Sequence, residues 1–66
     1  MRVYVNGKET EVPEDQTVRT LVVERGLNPS MVVVEHNLVV LRKENWSQVV
    51  LTSGDKLEII AFVGGG

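Results

Sequence analysis

Apolar and polar positions alternate at the start of the chain. Val3 and Val5 follow at every second residue, a period typical of a strand with one buried face. The Asn6-Gly7 pair that comes next favours a tight type I′ turn, because both central residues of this turn need a positive φ. Residues 2–12 are therefore predicted to form a β-hairpin, and its polar return strand is expected at an edge of the sheet.

The apolar spacing changes to three and four residues in the next segment. Val18, Leu21 and Val22 fall on one face of a helix, with Thr17 in the position of an N-cap and Gly26 where the chain leaves the helix. β-Branched residues have weak helix propensity. This short helix is therefore expected to be held by packing on a sheet.

The second half of the chain returns to strand-like patterns. They predict two short strands around His36-Asn37, a turn or 3₁₀ segment near residues 43–46 and, after a Gly54-Asp55 turn, the longest strand. Two strands, one helix and three strands in this order predict an α+β domain with the helix packed on the sheet. We expect the domain to span residues 1–63 and residues 64–66 to form a flexible tail.

Composition narrows the classes of function. The 66 residues include no cysteine and one histidine, so neither a disulfide nor a multi-histidine or thiolate metal site is predicted. A net charge of −2 with both signs mixed along the chain argues against a nucleic-acid partner, which usually requires a concentrated basic face. No apolar run approaches the roughly 20 residues of a membrane span, so a cytoplasmic protein is expected.

Side-chain catalysis is not indicated. His36 stands without a nearby nucleophile, and Glu35 would point to the opposite face of the same strand. Glu14 and Asp15 precede the predicted helix, where their carboxylates interact favourably with the positive N-terminal end of the helix dipole. Trp46 is more typical of a core residue than of a ligand platform in so small a domain. We therefore expect no enzyme.

The three glycines at positions 64–66 follow the most strand-like segment directly. Glycine has no Cβ, so a glycine tail is narrow enough to enter a covered site, and three extended residues reach about 10 Å. The carboxylate of Gly66 is ionised at neutral pH. It can attack the α-phosphate of ATP to form an acyl-adenylate, which then accepts a sulfur nucleophile. A partner enzyme would have to supply the ATP and the metal ion.

Alternation along the last strand separates two faces. One set continues the pattern of the first strand and is assigned to the core under the helix: Leu57, Ile59 and Ala61. The other set points away from the helix and, with Tyr4 of the first strand, is expected to form an exposed apolar patch that binds a partner: Ile60 and Phe62. The competing expectation is that a loop around Trp46 covers these residues as a second small core.

These segments, taken in order, resemble the β-grasp sulfur carriers, and most of all the ThiS family of thiamine biosynthesis. The likeness rests on "VNGKETEVP" near the start, "TVRTLVVERGL" in the helix, "VVVEHNLVV" with Arg42 and Trp46 after it, and "GDKLEIIAFVGGG" at the end. One departure is Leu38 after Asn37, where glycine is frequent. The resemblance implies a mixed four- to five-stranded sheet packed on one helix.

The same resemblance implies a protein co-substrate rather than an enzyme. Gly66 would be adenylated by a ThiF-like enzyme, converted to a thiocarboxylate with sulfur from a donor protein, and used by a thiazole synthase. Gly64 and Gly65 would thread into the partner's site. Three alternatives stay open: a MoaD-like or tRNA-thiolation carrier with the same terminal chemistry, a β-grasp interaction module that carries no sulfur, and an artificial glycine extension on another domain.

Overall fold

The structure is a computed structural model that describes residues 1–62 of the chain. Five strands form one sheet, and an α-helix packs on it. The strands are β1 (Arg2–Val5), β2 (Lys8–Glu11), β3 (Val32–His36), β4 (Val39–Leu41) and β5 (Lys56–Ala61). The helix α1 spans Val18–Glu24, and two 3₁₀ helices span Pro29–Met31 and Lys43–Gln48. The second 3₁₀ helix was predicted from the sequence, whereas the first was not.

The strand order in the sheet is β2-β1-β5-β3-β4, so the first and last strands are neighbours. β1 and β5 run parallel, whereas the other pairs are antiparallel. β2 lies at an edge, as its polar sequence predicts. The arrangement confirms the predicted α+β fold with a mixed sheet, and it places β5, the strand that leads to the glycines, in the middle of the sheet.

Both hairpin turns contain residues with positive φ. Asn6 (φ 51°) and Gly7 (φ 81°) join β1 to β2, which confirms the predicted type I′ turn. Asn37 (φ 50°) and Leu38 (φ 74°) join β3 to β4 in the same way. A leucine in this conformation is strained by roughly 1–2 kcal/mol, because its Cβ lies too close to a carbonyl oxygen. The strain falls at a position where the resemblance predicts glycine.

The ends of α1 follow from local sequence. Thr17 is the N-cap, as predicted, and its hydroxyl accepts a hydrogen bond from a backbone N–H in the first turn. Gly26 has a φ of 76° and donates its N–H to the carbonyl of Val23 at 3.0 Å, while the N–H of Leu27 donates to the carbonyl of Val22 at 3.3 Å. These two bonds form a Schellman motif, which satisfies carbonyls at the end of the helix.

The core lies between α1 and the inner face of the sheet. α1 contributes its predicted apolar stripe, and the strands contribute every second residue. The buried apolar residues of the described chain are Val3, Val5, Val12, Val18, Leu21, Val22, Val32, Val34, Trp46, Leu51, Leu57 and Ile59.

The competing expectation that a loop around Trp46 covers Ile60 and Phe62 is wrong, and so is the assignment of Ala61 to the core. Trp46 is 1% exposed within this core, and its indole N–H donates to the carbonyl of Leu41 at 3.4 Å. Because its 3₁₀ helix packs on α1, Trp46 does not cover Ile60 and Phe62 on the other face of the sheet. Ala61 is exposed although alternation assigned it to the core, because it ends β5 and has a neighbouring strand on one side only.

Candidate functional site

β5 carries the chain towards the predicted site. Gly66, which is predicted to react, lies outside the described residues, as do Gly64 and Gly65, which are predicted to thread into a partner. The predicted flexibility of this tail concerns the same residues. The described chain ends at Phe62, and the described parts of the molecule that lie next to the tail are β5 and the surface around its end.

β5 has different neighbours at its start and at its end. β1 pairs with β5 only at the start, and its last registered pair involves Leu57. β3 accompanies β5 to its end, where Ala61 lies opposite Val32. The N–H of Phe62 then donates to the carbonyl of Met31 at 2.7 Å. β5 is therefore held on both sides at first and on the β3 side alone at its end.

The side chain of Asn6 continues the pairing where β1 stops. Its Oδ1 accepts from the N–H of Ile59 at 2.7 Å, and its Nδ2 donates to the carbonyl of Ile59 at 3.2 Å. Its own backbone N–H donates to the carbonyl of Leu57 at 2.8 Å. The positive φ of Asn6 turns the backbone away into the hairpin, and the amide takes the place of the next strand residue. Asn6 thus anchors β5 close to the tail.

The three residues predicted to contact a partner belong to the outer face of the sheet. Ile60 and Phe62 are 51% and 57% exposed, and Tyr4 is half-buried. The register places Tyr4 opposite Lys56, four residues before Ile60 on β5, which is a distance of about 13 Å along a strand. The apolar surface is therefore divided, with Ile60 and Phe62 near the tail and Tyr4 apart from them. Their role in binding a partner stays a prediction.

A shallow depression lies beside Tyr4 on the outer face. It has a volume of about 310 Å³ and is lined by Tyr4, Gly7, Lys56 and Glu58. Its walls combine an aromatic ring, one positive charge and one negative charge. This mixture indicates no particular ligand class.

Negative charge lies next to the apolar part of the outer face. Glu58 is directly opposite Glu35 in the register of β5 and β3, and Ile60 is directly opposite Val33. Like charges in opposed positions destabilise a sheet. The outer face near the tail nevertheless presents these two carboxylates beside exposed apolar side chains, with Lys56 next to Glu58.

Asp55, just before β5, is the centre of a polar network. It is 6% exposed, and its Oδ2 lies 2.9 Å from His36 Nε2 and accepts from the N–H of Thr52 at 2.9 Å. Its Oδ1 accepts from Asn37 Nδ2 at 3.1 Å and from the hydroxyl of Thr52 at 3.0 Å. The network fastens the β3–β4 turn to the start of β5. His36 therefore contacts a carboxylate that the sequence analysis did not foresee, and this contact joins the β3–β4 turn to the start of β5.

The charge of Asp55 follows from the same contacts. Burial raises the pKa of Asp55, but the hydrogen bonds from Thr52, His36 and Asn37 favour the carboxylate more strongly and lower the pKa to about 2. Asp55 is therefore ionised at neutral pH.

The described residues contain no group of three or more histidine, aspartate or glutamate side chains that could hold a metal ion. Within the same part of the chain, the helices are too short or too polar to cross a membrane. What residues 1–62 provide is a support for the tail: a central strand fixed by Asn6 and β3, with an exposed apolar surface next to its end.

Sequence reasoning missed two features of this support. Asn6-Gly7 predicted the turn, but no local pattern indicates that the amide of Asn6 meets Ile59, which lies 53 residues later. Asp55 was assigned only to a turn. The signal for both is a polar side chain placed against a buried strand, and it becomes visible only once the register is known.

The strand order, the single α-helix packed on the described sheet and the central last strand define a β-grasp domain. Within this class, the model of the ThiS family matches residues 2–66. The chain belongs to the ThiS family.

Similar proteins support the assignment of the chain to this family. The chain is 42% identical over 66 residues to a thiazole synthase from Paramagnetospirillum magneticum, and the match covers 100% of this chain but 20% of that protein. It is 36% identical over 65 residues to the sulfur carrier protein ThiS of Bacillus subtilis, with 97% and 98% covered. The crystal structure of the thiamine biosynthesis protein ThiS from Geobacter metallireducens superposes with a TM-score of 0.85 at 33% identity, and 100% of both chains is covered.

Proposed function

We propose that the chain is a sulfur carrier of thiamine biosynthesis. The carboxylate of Gly66 attacks the α-phosphate of ATP, and pyrophosphate leaves. A sulfide equivalent then displaces AMP from the acyl-adenylate and leaves a thiocarboxylate. The observation that supports this proposal most is the family match, which runs through the three glycines to residue 66. The Bacillus subtilis relative, named a sulfur carrier, matches over nearly its whole length.

The geometry of β5 suits this chemistry. A carrier must keep its body outside the partner's site while its tail enters. Asn6 and β3 hold β5 up to Phe62, and the four residues beyond it span at most about 14 Å. Three of these four are glycines, which fit a narrow channel because they have no side chain.

The proposal requires two classes of partner enzyme. A ThiF-like enzyme binds ATP and a metal ion and adenylates Gly66, and a thiazole synthase uses the sulfur that a donor protein has supplied. The similarity of the whole chain to 20% of a thiazole synthase supports the second partner, since that relative contains a segment of this kind. Because the activation consumes ATP, we expect the chain to act in the cytoplasm.

The outer face of the sheet is the proposed docking surface for these partners. Ile60 and Phe62 are exposed apolar side chains within a few residues of the tail. Exposed apolar side chains that lie close together in this way are typical of an interaction site. The neighbouring carboxylates of Glu35 and Glu58 favour a partner with basic residues beside its apolar contact.

Pyrophosphate exchange into ATP tests the activation step. With a ThiF-like enzyme and the chain, labelled pyrophosphate should enter ATP, because formation of the acyl-adenylate is reversible. A chain extended by one alanine after Gly66 is the matched control, since its body is unchanged. We expect the extended chain to unfold at the same temperature and to support no exchange. Equal exchange with both chains would contradict the proposed role of Gly66.

A further inference from the structure

The backbone groups of β5 alternate between its two neighbours. On the β1 side, the carbonyl of Asp55 accepts from the N–H of Tyr4 and the carbonyl of Leu57 accepts from the N–H of Asn6, both at 2.8 Å. The N–H and carbonyl of Ile59 face the same side, where the amide of Asn6 binds both. From Leu57 onward, every second residue of β5 therefore directs its backbone groups towards β1.

Ala61 is the next residue in this alternation. The residue after it, Phe62, donates its N–H to Met31 on the β3 side. The N–H and carbonyl of Ala61 consequently point to the β1 side. Among residues 1–62 no strand lies opposite Ala61 there, because the pairing of β1 ends at Leu57. The amide of Asn6 is already bound to Ile59, so the sheet has an open edge at Ala61.

We propose that this open edge binds an extended backbone segment of the enzyme that adenylates the tail, as an added strand in line with β1. The inference rests on the proposed function. Strand addition of this kind satisfies the N–H and carbonyl of an exposed edge through main-chain hydrogen bonds. The added strand would continue the sheet where Asn6 turns β1 away.

The length of the tail determines the occupant. Residues 63–66 span at most about 14 Å, so an enzyme that encloses the Gly66 carboxylate lies against the end of β5 whatever its fold. The length of the tail does not bring a second copy of the chain to this edge in the same way. The open edge is within reach of the tail-binding enzyme in every productive complex.

The side chains around the edge favour an added strand. Natural sheets usually protect an open edge with charged residues, proline or a covering segment. Here Ile60 and Ala61 end β5 and Phe62 follows them, and all three are uncharged and exposed. The small side chain of Ala61 leaves room for a neighbouring backbone, and Phe62 can pack on the partner from the outer face.

N-methylation of one backbone amide tests the inference. A synthetic 66-residue chain with N-methylalanine at Ala61 loses the outward N–H and carries a methyl group on the open edge. We expect an unchanged unfolding temperature and a loss of affinity for the adenylating enzyme of about tenfold or more. The matched control carries the methyl group on the amide of Phe62. This control should unfold at a lower temperature, because it loses the bond to Met31.

Hydrogen exchange gives a second, direct measurement. The amide of Ala61 should exchange rapidly in the free chain and become protected in the complex with the enzyme. Protection of Ala61 in the free chain at high concentration would assign the edge to a second copy and overturn the proposal. Equal affinity of the wild-type and Ala61-methylated chains would also overturn it. If the wild-type chain supports no pyrophosphate exchange at all, the proposed function itself fails.

Discussion

Replacing Asn6 by glycine isolates the anchor between the first turn and the last strand. Asn6 has a φ of 51°, a conformation that glycine adopts without strain. The substitution Asn6→Gly therefore keeps the turn and removes both hydrogen bonds to Ile59. Each intramolecular hydrogen bond contributes roughly 0.5–1.5 kcal/mol, so the free energy of unfolding should fall by about 1–3 kcal/mol.

Urea unfolding measures this loss, with the fluorescence of Trp46 as the signal. Trp46 is the one tryptophan of the chain and is 1% exposed, so unfolding changes its surroundings completely. Leu38→Gly is the matched control: Leu38 has a φ of 74° in the other hairpin turn and is 87% exposed. Relief of its strain exceeds the cost of greater freedom in the unfolded chain, so this variant should gain a few tenths to about 1 kcal/mol.

The anchor predicts changes of opposite sign in the free energy of unfolding, a loss in Asn6→Gly and a gain in Leu38→Gly. Both place glycine at a positive φ in a hairpin turn, and Asn6→Gly alone removes hydrogen bonds to β5. A change below about 0.5 kcal/mol in Asn6→Gly would refute the anchor. An equal loss of stability in Leu38→Gly would attribute the effect to glycine itself.

Three further measurements test the docking role of Phe62, the charge of Asp55 and the flexibility of the tail. Phe62→Ala should cost about 2 kcal/mol or more of binding to the adenylating enzyme with little loss of folding stability; a large drop in the unfolding temperature would instead place Phe62 in the core. The pKa of Asp55 falls from an ordinary 3.8 to about 2 on folding, so the unfolded chain takes up this proton first as pH falls. The corresponding stability of about 2 kcal/mol is present above pH 4 and lost towards pH 2. Urea titrations at several pH values should show this loss in the wild type and a smaller one in Asp55→Asn. Backbone order parameters of residues 64–66 should lie below about 0.6, and values equal to those of β5 would contradict a flexible tail.

Features that depend on residues close together in the sequence could be predicted from it. The type I′ turn needs only a pair such as Asn6-Gly7 that tolerates positive φ. The limits of α1 need only a hydroxyl at Thr17 and a left-handed residue at Gly26. Alternation assigned Leu57 and Ile59 correctly to the core, because it depends on which face a residue occupies.

Features that depend on register could not be predicted in this way. The side chain of Asn6 meets Ile59 only because β1 stops before β5 does. Ala61 shares the phase of the core residues but ends a strand whose β1 neighbour has already turned away. Trp46 could have covered either face, and its place depends on how the chain after β4 crosses to α1. Periodicity gives the face of a residue and leaves the length of each pairing undetermined.

Intact mass spectrometry detects the proposed conversion of Gly66 to a thiocarboxylate. The chain is incubated with ATP, a ThiF-like enzyme and a sulfur source, then treated with a thiol-alkylating reagent. Because the chain has no cysteine, a thiocarboxylate is the one thiol-like group that the reagent can label, which distinguishes it from methionine oxidation of similar mass. We expect an ATP-dependent mass gain of one oxygen-to-sulfur exchange plus one alkyl group, located at Gly66 by fragmentation. An unlabelled wild-type chain, or equal labelling of a chain extended beyond Gly66, would contradict it.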